Sequence, residues 1–90
     1  MNMNEVDRFE IGQLTAKQIF TVISRNAEYY ESPEAKLWLA VIGQAIFDGK
    51  KDGGYQWFKS GGHKIICENI GLNADLVSDI CIRWMDAKTN

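Results

Sequence analysis

The sequence predicts a compact all-α bundle of four or five helices, and three observations carry that expectation. Helix-start chemistry stands before two apolar runs, at Thr15 and at Ser32-Pro33. Apolar residues recur every three or four positions through much of the chain, without the sustained period-two alternation and hairpin turns that mark strands. A length of 90 residues with 46% hydrophobic and 24% charged residues supports one modest core and lies outside the composition of disordered chains. A single helical domain over residues 15–88 is expected, preceded by an N-terminal extension over residues 1–14.

The first helix begins at Thr15, whose hydroxyl caps the backbone while Gln18 reaches back to it. Ile19, Phe20, Ile23, Ala27 and Tyr30 then share its inward face. Glu31-Ser32-Pro33-Glu34 ends that helix and starts the next: Ser32 is a good N-cap, Pro33 suits the first helical position and Glu34 complements the positive helix end. The second helix runs from Pro33 to about Asp48. Leu37, Trp38, Leu39, Ala40, Val41, Ile42, Ala45, Ile46 and Phe47 make it apolar around nearly its whole circumference. It is either the central core helix or partly an oligomer interface, and the apolar surplus leads us to expect a homodimer. Gly49 to Gly54 is a polar, glycine-rich break, and Tyr55 to Ser60 leaves room only for a short helix bearing Trp57 and Phe58.

From His63 to Met85, two apolar helical patterns are joined by Ile70-Gly71-Leu72-Asn73. Ile66 and Ile70 are expected to face inward, with the small Cys67 at a close helix crossing. Gly71 takes a left-handed turn, Leu72 plugs it and Asn73 caps the last helix, whose Leu76, Val77, Ile80 and Trp84 return to the core. These positions resemble the helix-turn-helix superfamily over the C-terminal quarter of the chain. The resemblance implies a DNA-binding regulator whose last helix enters the major groove and presents Asn73 and Ser78 to duplex DNA. Asp75 and Asp79 depart from that pattern, because they place negative charge where phosphates and acceptor-rich base edges would lie. A second resemblance rests on Leu37-Trp38, Gln44-Ala45, Trp57-Phe58, Ser60 and Ile66-Cys67-Glu68. It is to small proteins of phages and prophages, and it implies a setting rather than a chemistry.

The formal net charge of −2 is unlike that of a generic polyanion binder. Three of the ten basic and six of the twelve acidic residues precede Lys36, so an anionic partner would meet the C-terminal part of the chain. There Lys50, Lys51, Lys59 and Lys64 flank two glycine pairs and are the candidate contacts to a DNA backbone. The competing expectation is a protein-protein interaction module, such as an inhibitor or adaptor of a host protein, that uses Trp57 and Phe58 or the acidic first helix.

Other classes are disfavoured by what the residues lack. His63 and Cys67 stand one helical turn apart, with Cys81 and Glu68 as distant additions, but no paired C-x-x-C knuckle accompanies them. A structural cysteine pair beside an exposed histidine is expected, with no metal and no cofactor. No nucleophile-base pair or phosphate-binding loop is legible, so the protein is not expected to be an enzyme. Leu37 to Phe47, the longest apolar run, is interrupted by Gly43 and Gln44 and is too short to span a bilayer. Met1 to Leu14 lacks the apolar core of a signal peptide. A cytoplasmic protein with reduced, packed Cys67 and Cys81 is the resulting expectation.

Overall fold

The structure, a computed structural model, describes residues 11–88. Among them a single 3-10 turn (Ile11–Gln13) precedes five α-helices: α1 (Ala16–Arg25), α2 (Pro33–Asp48), α3 (Gly54–Lys59), α4 (Lys64–Asn69) and α5 (Ala74–Lys88). The fold is an all-α bundle, as the helix-start signals and apolar spacing imply.

Both helix starts form by the expected chemistry. Thr15 Oγ1 accepts from the Gln18 backbone N–H at 3.1 Å, and Gln18 Oε1 accepts from the Thr15 N–H at 2.8 Å. Ser32 Oγ accepts from the Ala35 N–H at 3.0 Å, with Pro33 opening α2.

α1 stops earlier than expected, at Arg25. Asn26 Nδ2 donates to the Val22 carbonyl at 2.7 Å, which occupies the acceptor that a continuing helix would give to the Asn26 backbone N–H. That N–H turns to the Ile23 carbonyl at 3.1 Å instead. The chain then turns through residues 27–31, and Tyr30 is 47% exposed rather than inward-facing.

α2 is the central element. α1 and α3 pack on it, α5 packs on α3 and on the 3-10 turn, and α4 packs on α5. Ile19 and Ile23 of α1, Ile42 and Ile46 of α2, Phe58 of α3, and Val77 and Ile80 of α5 join in one continuous core. Each such side chain stabilises the fold by about 1.5–3 kcal/mol relative to exposure. The end of the segment read as an extension belongs to this domain: Leu14 is buried and Gly12 lies against Ala87. The rest of that extension, residues 1–10, falls outside the described residues.

The α4–α5 turn follows the sequence expectation at Gly71, Leu72 and Asn73. Gly71 has φ 72°, and the Leu72 N–H donates back to the Cys67 carbonyl at 2.9 Å, a Schellman closure that places buried Leu72 under the turn. Asn73 Oδ1 caps α5 by accepting from the Leu76 N–H at 3.1 Å. Ile70, Val77, Ile80 and Trp84 are buried, whereas Ile66 and Leu76 are only partly so. No helix of the described residues is long and apolar enough to cross a membrane.

Candidate functional site

The structure brings two of the four candidate DNA-contacting lysines together. Lys50 Nζ lies 4.8 Å and Lys59 Nζ 5.3 Å from the centroid of the Tyr55 ring. Asp86 of α5 closes the cluster, with Oδ1 2.8 Å from Lys50 Nζ, and the Tyr55 hydroxyl adds to the stabilisation of its carboxylate. The hydrogen bond between Lys50 and Asp86 holds the carboxyl below its ordinary range and raises the ammonium above its ordinary value. Lys64 instead lays its aliphatic stem over Gly61, and Lys51 is exposed in the α2–α3 turn.

The outer N-terminal end of α5 is acidic. Glu28 packs on Gly71 with its carboxylate beside the turn, Asp75 stands in the first turn, and Asp79 pairs with Arg83 at 2.9 Å. The two polar residues expected to read bases are engaged on their own helix. Asn73 uses its carbonyl oxygen as the cap, and the Ser78 hydroxyl donates to the Asp75 carbonyl at 3.1 Å.

Two expectations about aromatic and histidine exposure are corrected. Phe58, expected on a protein-binding surface, is 1% exposed, because α3 wedges between α2 and α5 and turns this ring into the core. His63, expected to be exposed, is likewise 1% exposed. Its Nε2–H donates to the Ala74 carbonyl at 2.8 Å, while Nδ1 is buried without a partner. Its ring centroid lies 5.4 Å from that of Phe58 and 6.0 Å from that of Trp57, so the three rings form one edge-to-face cluster. Cys67 and Cys81 are buried free thiols. Burial pushes the Cys67 thiol up to about 11, and burial together with the neighbouring Cys67 pushes Cys81 higher still. Among the described residues, no group of three or more His, Cys, Asp or Glu side chains is placed to hold a metal ion.

A groove of about 510 Å³ lies between α2 and the start of α3. Leu37, Ala40 and Val41 line one half, Asp48 and Asp52 stand in the other, and Gln44 and Trp57 lie on its walls. Its origin is local. Gly54 abuts the Ala45 carbonyl so closely that no Cβ fits there, which docks α3 on the C-terminal half of α2. With only six residues, α3 is too short to cover the rest of that face. Leu37 is therefore 64% and Val41 40% exposed. Trp57 is held from behind: a Cβ at Gly62 would fall 2.5 Å from its indole, so only glycine admits the ring there.

Sequence reasoning takes core anchoring as the default for the tryptophans and names Trp57 as the one to meet a partner if any is exposed; Trp57 is half-buried against the core, and Leu37 and Val41 were not singled out. The available signal was the apolar surplus around α2, which does not say which side stays uncovered. Fold and groove together define a class, a small all-helical domain with a half-apolar, half-acidic cleft on its central helix. No family model matches the chain, and neither a curated protein nor a solved structure matches it.

Proposed function

We propose that this is a non-catalytic cytoplasmic binding protein that docks a partner protein on the α2–α3 groove. The observation that carries this reading is the exposure of Leu37 and Val41 beside the rigidly backed Trp57. Single exposed leucines are ordinary, but apolar residues contiguous with a preformed tryptophan wall have the composition of an interface anchor. Covering them recovers about 25 cal/mol for each Å² of apolar surface removed from water. The electrostatics lean the same way: the outer start of α5 carries Glu28, Asp75 and Asp79, and Lys50 is drawn to Asp86. A cytoplasmic setting suits the two buried free thiols.

The second reading is a DNA-binding regulator of phage or prophage type, favoured by the gathering of Lys50 and Lys59 over Tyr55. One paired experiment separates the two. Wild type and a Leu37→Glu/Val41→Glu variant are used to capture partners from native extract. In parallel, wild type and a variant with Lys50, Lys51, Lys59 and Lys64 changed to Ala are titrated with duplex DNA at low and moderate salt. A protein retained by wild type and lost with the groove variant supports docking. Salt-sensitive DNA binding lost in the lysine variant, with capture unchanged by the groove variant, supports the regulator.

A further inference from the structure

We infer that the groove accepts a basic amphipathic helix, with an apolar face against Leu37, Ala40 and Val41 and Arg or Lys side chains at the end that meets Asp48 and Asp52. This rests on the docking reading above and names the chemistry of the partner segment.

The two halves of the groove differ in chemistry. The apolar half has nothing to offer a charged group, whereas the other half holds Asp48 and Asp52 beside the C-terminus of α2. The negative end of the α2 dipole adds to their field. Gln44 Nε2 donates to Asp48 Oδ1 at 2.8 Å, which orients this carboxylate at the groove wall and leaves it further acceptor capacity. Lys50, which follows in sequence, is drawn to Asp86 on α5. An incoming guanidinium or ammonium therefore meets the oriented Asp48 carboxylate and that of Asp52 at one end of an apolar trough, and charge complementarity sets both the sign and the direction of the occupant.

Shape selects a helix. Leu37, Val41 and Gln44 fall at the spacing that leaves a row of side chains along one face of α2, and such a row receives the ridge of another helix. A volume of about 510 Å³ takes the few anchor side chains of one helix face rather than a broad domain surface. A second copy of this chain is disfavoured on charge, since it would bring the same acidic groove end and a net charge of −2 to the contact.

The test uses the whole protein and a displayed library of helix-biased random peptides of about 16 residues, roughly four helical turns. Selection on wild type is counter-selected on Leu37→Glu and, separately, on Val41→Glu, each checked for native circular dichroism. The expected winners carry apolar residues at helical spacing with Arg or Lys clustered at one end. A synthesised winner should bind wild type at least about tenfold more tightly than it binds Asp48→Asn/Asp52→Asn, and should weaken with salt. Groove-dependent winners without a basic end, or indifferent to the Asp48 and Asp52 changes, would overturn the inference while leaving the docking reading in place. No groove-dependent enrichment would overturn both. A dimer in sedimentation that dissociates on Leu37→Glu would give the groove to a second copy and overturn the inference as well.

Discussion

The indole Nε1–H of Trp84 donates to the backbone carbonyl of Leu14 at 2.7 Å, joining residues 70 positions apart inside the core. The bond ties the start of the described chain to the last helix, and it satisfies a carbonyl that would otherwise be buried without a donor. Trp84→Phe keeps a ring in the core but removes that donor. Stability should fall by about 1–2 kcal/mol in urea unfolding, and the Leu14 amide, bonded to the Ile11 carbonyl at 3.1 Å, should exchange faster with solvent.

His63 makes the corresponding tie between the α3–α4 turn and α5, through its bond to the Ala74 carbonyl and its packing on Phe58 and Trp57. His63→Ala leaves a cavity among these rings and should lower stability by about 2–4 kcal/mol, with a fall in Tm of roughly ten degrees or more for a domain of this size. A variant as stable as wild type would show that the ring cluster does not organise α3 and α4.

Much of the architecture follows from residues that act on their immediate neighbours. Thr15 with Gln18, Ser32 with Pro33, and Gly71 with Asn73 each satisfy backbone groups within a few residues, so their effect is readable from spacing alone. Asn26 is local too, but its competition for the Val22 carbonyl is one of several options an asparagine has, and the pattern of Ala27 and Tyr30 suggested a longer helix. The burial of His63 and Phe58 was not readable, because it depends on α5 passing beside α3. The pairing of Lys50 with Asp86 is likewise tertiary, as is the choice of which side of α2 remains bare. The groove was thus legible as a surplus of apolar residues but not as a place.

Thiol reactivity should report on the same packing. With Cys67 pushed up to about 11 and Cys81 above that by burial, neither is a thiolate near neutral pH. Native protein should react slowly with a thiol reagent at pH 8 and release both thiols on unfolding. The unfolded chain loses these protons near the ordinary thiol value of 9.0 while the folded chain retains them, so stability should decline as pH rises above about 9. Denaturant midpoints measured across that range check the sign.

Asp86 is the group that restrains the basic cluster. Its carboxyl, stabilised as an anion by Lys50, should titrate below the ordinary 3.8 in NMR, and Lys50→Ala should move it back up. The contribution of the pair is present through neutral pH. It is lost as pH falls through the lowered Asp86 value, and at the alkaline end as pH rises through the raised Lys50 value. Asp86→Asn releases Lys50 from this ion pair. If the lysines contact DNA, this change should strengthen duplex binding several-fold at low salt, whereas a protein-docking groove should be indifferent to it.

The most direct measurement places a photo-cross-linking side chain at Val41 in the groove and, separately, at Ser78 on the outer side of α5, in the native cells. The docking reading predicts a discrete protein adduct from Val41 that disappears when Leu37→Glu is added, and no DNA adduct from Ser78. A DNA adduct from Ser78 with none from Val41 would contradict it and return the last helix to the role that the helix-turn-helix resemblance implies.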